Sequence, residues 1–267
     1  MLFKKNFEKG QISGVHFGNG KNVFRNIRLN VYSFVADGVL IDTGSASLRN
    51  YFIPYFDEHR IEQVVLTHYH EDHTGGAAYL AEKGIPIYMN DIMRSYCMKE
   101  ADYPFYRKIF WGKREPFEAQ PIGQTFQSNS ATWDVIETPG HAVDHLAFLN
   151  RETGQLFTGD LYVMPKTKVI LKEESIPTII SSLEKVLTYD FDEMFCCHAG
   201  YVKDGRKALV NKHDFLLTLQ DQVITLNKEG YSNKEIANEL FTKKYPISRI
   251  SFGEWDSMHI INSILKG

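Results

Sequence analysis

Four side chains that commonly bind metal ions lie within six residues of this 267-residue chain. They are His68, His70, Asp72 and His73, inside residues 67–76. Alternate residues of an extended segment project to the same side, so we expect His68 and His70 to contact one ion. Asp72 and His73 can then turn toward a second ion. The alternative, a polar loop that is rich in histidine by chance, is disfavoured because three of the ten histidines fall in this run.

Two more histidines and one aspartate follow apolar segments further along the chain. His141 ends a Thr-Pro-Gly-His sequence, Asp160 ends Phe-Thr-Gly-Asp, and His198 follows Phe-Cys-Cys. All three positions are typical of strand ends. Side chains at strand ends and in the loops after them converge at one edge of a sheet. We therefore expect these three residues to complete the site that residues 67–76 begin.

In these motifs and their order the chain resembles the metallo-β-lactamase fold superfamily. The resemblance extends over most of residues 12–200. It implies an α/β (α+β) fold, a four-layer αβ/βα sandwich of two mixed β-sheets flanked by helices. The matching segments are Leu-Ile-Asp-Thr-Gly at 40–44, the run at 67–76, Thr-Pro-Gly-His at 138–141, Gly-Asp at 159–160 and the histidine at 198.

The resemblance also implies a ligand set for two metal ions. The seven ligand positions of the family all carry metal-binding side chains here: His68, His70 and His141 for one ion, Asp72, His73 and His198 for the second, and Asp160 between the two. Zinc suits these ligands best, although nitrogen and oxygen donors also admit iron, manganese or cobalt.

Such a pair of ions has a defined chemistry. Two divalent ions about 3.5–4 Å apart hold a bridging water, lower its pKa toward about 7 and polarise the bond under attack. Asp160 would share its charge between the ions. Asp72 can also move a proton to the leaving group, although the ligand role is the simpler one. We assign both aspartates to catalysis and predict a dinuclear metal-dependent hydrolase of an ester-like bond, such as a thioester or lactone, in a small molecule.

Two other functions are compatible with the same motifs. The sequence Thr-Pro-Gly-His-Ala-Val-Asp-His is similar to a branch that contains glyoxalase II-like thioesterases and endoribonucleases, so a metal-dependent nuclease or phosphodiesterase is one alternative. A net charge of −3 and a pI near 6.4 argue against sequence-independent binding of nucleic acid. The other alternative is a metal-binding or redox member without hydrolytic activity. His70 argues against a di-iron redox member, because that flavoprotein branch usually has glutamate there, and the full ligand set argues against a member that only binds metal.

Neighbouring residues are expected to support the ligands. Asp42 follows an apolar strand, and its carboxylate can accept the free ring N–H of a liganding histidine and so fix its tautomer. His145 is expected to form hydrogen bonds rather than to act as an eighth ligand. Gly75 and Gly76 lack side chains, which permits close backbone approach beneath the metals.

The residues that shape a substrate pocket are harder to identify. Residues 91–127 combine aromatic and basic side chains and look like an insertion over the site, so Phe105, Tyr106 and Trp111 are candidates for a pocket. The alternative is a pair of helices that pack their aromatic rings on the core. Tyr162 follows Asp160 by two positions and can polarise a substrate carbonyl, as a tyrosine does in lactonase relatives, but a core tyrosine fits as well.

The domain organisation follows from the motifs. We expect a catalytic domain over residues 1–205 and a C-terminal helical appendage over residues 206–267. In the appendage, Ser232 and Glu235 have the spacing of a capping box. The helix that they begin resembles the first helix of a helix-turn-helix, but Pro246 interrupts the pattern.

Composition indicates the setting of the enzyme. The chain has three cysteines, no adequate signal peptide at its start and no apolar run of about 20 residues that could cross a bilayer. We therefore expect a cytoplasmic protein with a small-molecule substrate and without a membrane partner. The sequence makes no prediction of oligomeric state.

Overall fold

Two large sheets form the inner layers of the protein in the computed structural model, which describes residues 4–25, 27–243 and 245–266. The first sheet has seven strands and follows chain order. Its first four strands are antiparallel and the rest are parallel. Its strands are β1 (Lys4–Ile12), β2 (Val15–Phe24), β3 (Ile27–Ala36), β4 (Val39–Ile41), β5 (Gln63–Val65), β6 (Ile87–Met89) and β7 (Gln120–Pro121).

The second sheet has six strands and is also mixed. Its members are β8 (Thr125–Gln127), β9 (Thr132–Glu137), β10 (Leu146–Asn150), β11 (Leu156–Phe157), β13 (Met194–Cys196) and β14 (Gly200–Val202). Their spatial order is β14-β13-β11-β10-β9-β8. A further two-stranded sheet, which the sequence did not predict, pairs β12 (Ile170–Leu171) with β15 (Trp255–Asp256).

Helices cover the outer face of each sheet. A 3-10 turn at Ala46–Leu48 precedes the first of them. The helices are α1 (Arg49–Asp57), α2 (Glu71–Thr74), α3 (Ala77–Glu82), α4 (Asp91–Cys97), α5 (Phe105–Trp111), α6 (Ile176–Leu187), α7 (Gly205–Lys228), α8 (Asn233–Leu240), α9 (Pro246–Ile250) and α10 (Ser257–Lys266). Among the described residues, none of these helices combines the length and apolar character needed to cross a membrane.

Three apolar cores separate the four layers. The first lies between the first sheet and helices α1, α3, α4 and α5, and the third lies between the second sheet and α6, α7, α8 and α10. The middle core lies between the sheets, where Phe34 packs edge-on against Phe157 and Phe195 with ring centroids 5.7 and 5.4 Å apart. This arrangement confirms the predicted four-layer sandwich.

The alternation of side chains along the strands explains the layering. In β4, Leu40 enters the first core and Ile41 the middle core, and in β5 Val64 and Val65 divide in the same way. Successive residues of a strand point to opposite faces, so a strand that is covered on both sides is apolar throughout. Such strands leave polar groups only at their ends.

Two local features of the backbone follow from short sequence patterns, and the second confirms the predicted capping box. Asp37 and Gly38 join β3 to β4 with φ values of 50° and 80°, as the turn of a tight hairpin requires. Ser232 and Glu235 form a complete capping box at the start of α8. The C-terminal helices share the third core with α6, where Leu216 and Ile261 are buried. The division into a catalytic domain and an appendage remains a proposal.

Gly75 and Gly76 lie between α2 and α3, and Gly76 directly precedes the first residue of α3. A Cβ atom added to Gly75 would lie 2.1 Å from the backbone nitrogen of Ala46, and one on Gly76 would lie 2.8 Å from the carbonyl oxygen of Thr43. Gly75 has an ordinary helical φ of −67°, which any residue can adopt. Glycine is required here because a side chain would collide with the neighbouring backbone. The segment after β5 is therefore held directly against the segment after β4.

We expect Gly75→Ala to lower the free energy of unfolding by about 3 kcal/mol, because backbone atoms must move to admit the methyl group. Denaturant unfolding measures the change. Gly123→Ala is the matched control, since its nearest contact would be an ordinary 3.5 Å. It should alter stability by less than about 1 kcal/mol. Equal effects of the two substitutions would contradict the close backbone approach.

Candidate metal centre

The candidate ligands meet where strands of both sheets end. Asp42 follows β4 and residues 67–76 follow β5, and these two strands are parallel. In the second sheet, His141 follows β9, Asp160 follows β11 and His198 follows β13. These three strands run in the same direction, because β9 and β11 are each antiparallel to β10 and β11 is parallel to β13. The topology therefore brings the segments to one edge of the sandwich.

Three buried histidines form the first cluster. His70 Nδ1 lies 3.0 Å from His68 Nε2 and 3.1 Å from His141 Nε2. These nitrogens lie within 4.8 Å of one another. Burial lowers the pKa of His68 and of His70 well below the ordinary value, so both rings are neutral and keep a lone pair. Neutral imidazole nitrogens are the donors that zinc and similar ions bind.

The second cluster surrounds Asp160. His198 Nε2 lies 3.0 Å from Asp160 Oδ2 and 3.6 Å from Asp72 Oδ2, and His73 Nε2 lies 3.5 Å from Asp160 Oδ1. Asp160 Oδ2 also lies 3.4 Å from His141 Nε2 of the first cluster. The Asp160 carboxylate is thus the group that both clusters share.

The charges of the second cluster fit a divalent cation. Burial lowers the pKa of His198, but the Asp160 and Asp72 carboxylates together raise it, and the resulting pKa is about 9. Burial also lowers the pKa of His73, but the neighbouring carboxylates, first that of Asp160, raise it, and the pKa lies well above its ordinary value. His73 Nε2 and Asp160 Oδ1 are buried and have no hydrogen-bond partner in the described part of the chain. A cation bound here would replace the protons and satisfy both atoms.

The outward-facing nitrogen of most of these rings is hydrogen-bonded, which directs the other nitrogen into the cluster. A partner of this kind selects the tautomer and orients the ring. One of these partners, Glu174, contacts His141 and was not predicted from the sequence, because no motif marks the loop before α6. The contacts are His73 Nδ1 with Asp42 Oδ2 (2.8 Å), His141 Nδ1 with Glu174 Oε2 (3.1 Å), His198 Nδ1 with the Asn30 carbonyl (2.5 Å) and His68 Nδ1 with Thr67 Oγ1 (3.0 Å).

His145 lies beside the cluster with both ring nitrogens occupied. Its Nε2 accepts the backbone N–H of Asp160 at 2.9 Å, and its Nδ1 lies 2.8 Å from Thr138 Oγ1. It therefore holds the backbone that carries Asp160, and neither nitrogen is free to bind an ion. Burial raises the pKa of the neighbouring Asp144 to about 7.

A buried ion pair supports the segment after β5 from outside the cluster. The Arg107 guanidinium donates from Nε and Nη2 to the two carboxylate oxygens of Glu71, both at 2.7 Å, and Arg107 Nη1 lies 3.2 Å from Glu254 Oε1. Glu71 stands between His70 and Asp72 in the sequence. This contact links α5 and a C-terminal segment to the candidate ligands, and the sequence alone did not reveal it.

The four predicted pocket residues lie in different environments. Phe105 is 76% exposed, whereas Tyr106 and Trp111 are buried in the first core. Tyr162 is buried in the third core, and its carbonyl oxygen accepts a hydrogen bond from Lys212. None of the four lines the two cavities described next, and their role in a substrate pocket remains a proposal.

Two cavities adjoin the segments that carry the clusters. One, of about 190 Å³, is lined by Tyr69, Tyr96, Tyr103 and the Glu71–Arg107 pair, among others. The other is a more open groove of about 620 Å³ that reaches His198. Both volumes are too large for a single water molecule, and the groove is in the range of ligand sites.

Comparison with known proteins agrees with this geometry. The family model of the metallo-beta-lactamase superfamily matches residues 29–198, which is more than half of the chain. The metallo-beta-lactamase family protein of Thermus thermophilus has a similar structure, with a TM-score of 0.71 over 96% of this chain and 94% of that chain at 18% identity. The chain therefore belongs to the metallo-beta-lactamase superfamily, as the motifs predicted.

Two relatives have more specific names. Thioesterase pkgB of Emericella nidulans is 38% identical over 46% of this chain and 32% of its own length. The atrochrysone carboxyl ACP thioesterase of Passalora fulva is 27% identical over 77% of this chain and 58% of its own length. The chain thus spans between a third and three fifths of the length of these relatives.

We expect Arg107→Ala to lower the free energy of unfolding by about 3–5 kcal/mol, because Glu71 would remain buried without its partner. Chemical denaturation measures this loss. In the triple variant Arg107→Met, Glu71→Leu and Glu254→Gln, neither acidic partner of Arg107 is left with an unpaired charge, so much of the stability should return. A single variant as stable as the native protein would show that the ion pair does not support this segment.

Proposed function

We propose that this protein is a metal-dependent hydrolase that cleaves a thioester or a similar ester-like bond with two divalent ions, most simply zinc. The observation that carries the proposal is the convergence of two donor clusters on Asp160. Family membership and two relatives named as thioesterases support the reaction class. One ion would bind His68, His70 and His141. The other ion would bind Asp72, His73, His198 and the shared Asp160.

The ions would supply an activated water at neutral pH and polarise the substrate carbonyl. The protein's own groups do the rest. Asp42 and Glu174 orient histidine rings, and His145 fixes the backbone of Asp160. Asp72, whose side chain is 9% exposed, can also pass a proton to the leaving thiolate. Burial of the remaining donors excludes bulk water and strengthens their electrostatic effect.

The proposal includes the setting of the enzyme. Its substrate is a small molecule or a thioester carried by a larger one. The three cysteines are free and buried, which supports a reducing, cytoplasmic compartment. Phosphodiester cleavage is the second candidate, favoured by one observation, the cationic residues that line the groove at His198.

Elemental analysis of the purified protein should give about two metal ions per chain. A panel of a thioester, a lactone, nitrocefin and bis-p-nitrophenyl phosphate should show turnover of the thioester, and chelation should abolish it. Asp160→Ala and His68→Ala should each lose metal and at least about 100-fold in kcat/KM.

His213→Ala is the control for these variants, because His213 lies on α7 beside Glu184 and outside both clusters. It should keep the native metal content and rate. Less than one ion per chain after reconstitution, without turnover of any substrate, would contradict the proposal. Turnover of the phosphodiester alone would support the second candidate.

Asp42→Asn should weaken metal affinity by about 10- to 100-fold, measured by competition with a chelator. The Asp42 carboxylate faces donors only, and an amide would turn an N–H₂ group toward one of them. Asp37→Asn is the control, since Asp37 accepts hydrogen bonds from Ser128 and Ser130 in the β3–β4 turn. An unchanged affinity in Asp42→Asn would mean that this carboxylate does not orient His73.

A further inference from the structure

The floor of the groove at His198 is one face of the first three strands. The register of β1, β2 and β3 aligns side chains across the strands in rows, and directly opposed residues point to the same side of the sheet. Two rows lie on the groove floor: Lys4, Val23 and Arg28 in one, and Asn6, Lys21 and Asn30 in the next.

This face is the continuation of the face that the middle core covers. Along β3, Phe34 packs between the sheets and Tyr32 follows on the same side. The second sheet ends there, where Tyr32 N donates to the Cys197 carbonyl at 2.7 Å and Asn30 Nδ2 donates to the His198 carbonyl at 2.9 Å. Beyond His198 the first sheet extends past its partner. The residues on this face change from aromatic to polar and cationic at the same point.

The groove carries positive charge although the chain as a whole has a net charge of −3. Lys4, Lys21 and Arg28 line it, and no carboxylate does so among the described residues. Lys21 is paired with Glu8 at 2.6 Å. Lys4 and Arg28 have no ion pair within residues 4–25, 27–243 and 245–266, so their charges are available to a ligand.

The metal centre opens toward this groove. The side chain of His198 is 19% exposed, while those of Asp72 and His141 are 9% and 7% exposed and that of His73 is fully buried. A substrate that reaches the ions from this side must pass over the groove floor. Arg28 lies two residues from Asn30 along β3, which places its backbone about 7 Å further from the centre.

We propose that the groove binds the phosphate of the thiol half of the substrate, a thioester of the pantetheine 4′-phosphate arm. This inference rests on the proposed thioester hydrolysis. The Arg28 guanidinium can donate two parallel hydrogen bonds to phosphate, and Lys4 adds a second cation from the neighbouring edge strand. The arm is longer than the roughly 7 Å of strand between Arg28 and Asn30. Asn30 contacts the backbone of the candidate ligand His198, so the sulfur would lie at the ligand end of the groove while the phosphate remains on Arg28.

Direct binding tests the groove independently of catalysis. Calorimetry on the metal-loaded protein should show that pantetheine 4′-phosphate binds at least about 10-fold more tightly than pantetheine, which lacks the phosphate. Arg28→Gln and Lys4→Ala should each remove most of this difference. Lys5→Ala is the matched control, because Lys5 is the next residue of β1 but donates to the Ser47 carbonyl on the opposite face. Equal binding of the two ligands would overturn the proposal.

Kinetics separate this inference from the proposed function. Arg28→Gln should raise KM about 10-fold for an acyl-pantetheine 4′-phosphate and leave an acyl-N-acetylcysteamine thioester, which has no phosphate, unchanged. If both thioesters are hydrolysed and Arg28→Gln changes the KM of neither, the groove proposal is wrong and the proposed hydrolase function is supported. If no thioester is hydrolysed but pantetheine 4′-phosphate binds in a way that depends on Arg28, the hydrolase proposal is wrong and the groove proposal is supported.

Two further comparisons identify the source of the arm. Coenzyme A and acyl carrier proteins both contain pantetheine 4′-phosphate. The thioester with the higher kcat/KM, acyl-coenzyme A or an acylated carrier protein, identifies the source of the arm, and either result supports the groove proposal. A short single-stranded RNA tests the nucleic-acid alternative. RNA binding that depends on Arg28, without binding of pantetheine 4′-phosphate, would overturn the proposal in favour of a nuclease.

Discussion

The Asp42 carboxylate is the contact on which the candidate site depends. It is fully buried and accepts hydrogen bonds from the backbone N–H and hydroxyl of Thr67, from His73 Nδ1 and from Cys197 Sγ, at 2.8 to 2.9 Å. A buried carboxylate is tolerated only when donors of this kind surround it. These donors belong to both sheets, so one side chain after β4 sets the positions of the segments after β5 and β13. Its positive φ of 56° aims it at them.

The candidate ligands themselves do not stabilise the fold in this way. The ring nitrogens of His68, His70 and His141 lie only 3.0 and 3.1 Å apart, and burying three polar rings this close together costs free energy. The surrounding structure therefore has to hold them together. Three apolar cores and the Arg107–Glu71 pair supply the rigidity, and site geometry follows from interactions outside the site. Metal sites commonly rely on supporting contacts of this kind.

Short-range patterns and the family resemblance made most of the fold predictable. The Asp37–Gly38 turn and the Ser232 cap depend on neighbours within a few residues, whereas the four layers were implied by the resemblance of the motifs. The ion pair between Arg107 and Glu71 joins positions 36 residues apart, and no spacing rule relates them. The same holds for the two-residue strands β12 and β15, which are too short to show a period. The cationic groove could not be predicted either, because the rows of side chains that form its floor are defined only by the register of β1 to β3.

In the described part of the chain, β1 is an edge strand of the first sheet. An edge strand has unpaired backbone groups that another chain can bind, and charged side chains discourage such pairing. Lys5 and Lys9 carry charge on one face of β1 and Lys4 carries it on the other, so a second sheet could join this edge only by bringing lysines together. The strand that forms one side of the groove thus also protects the protein from aggregation through its open edge.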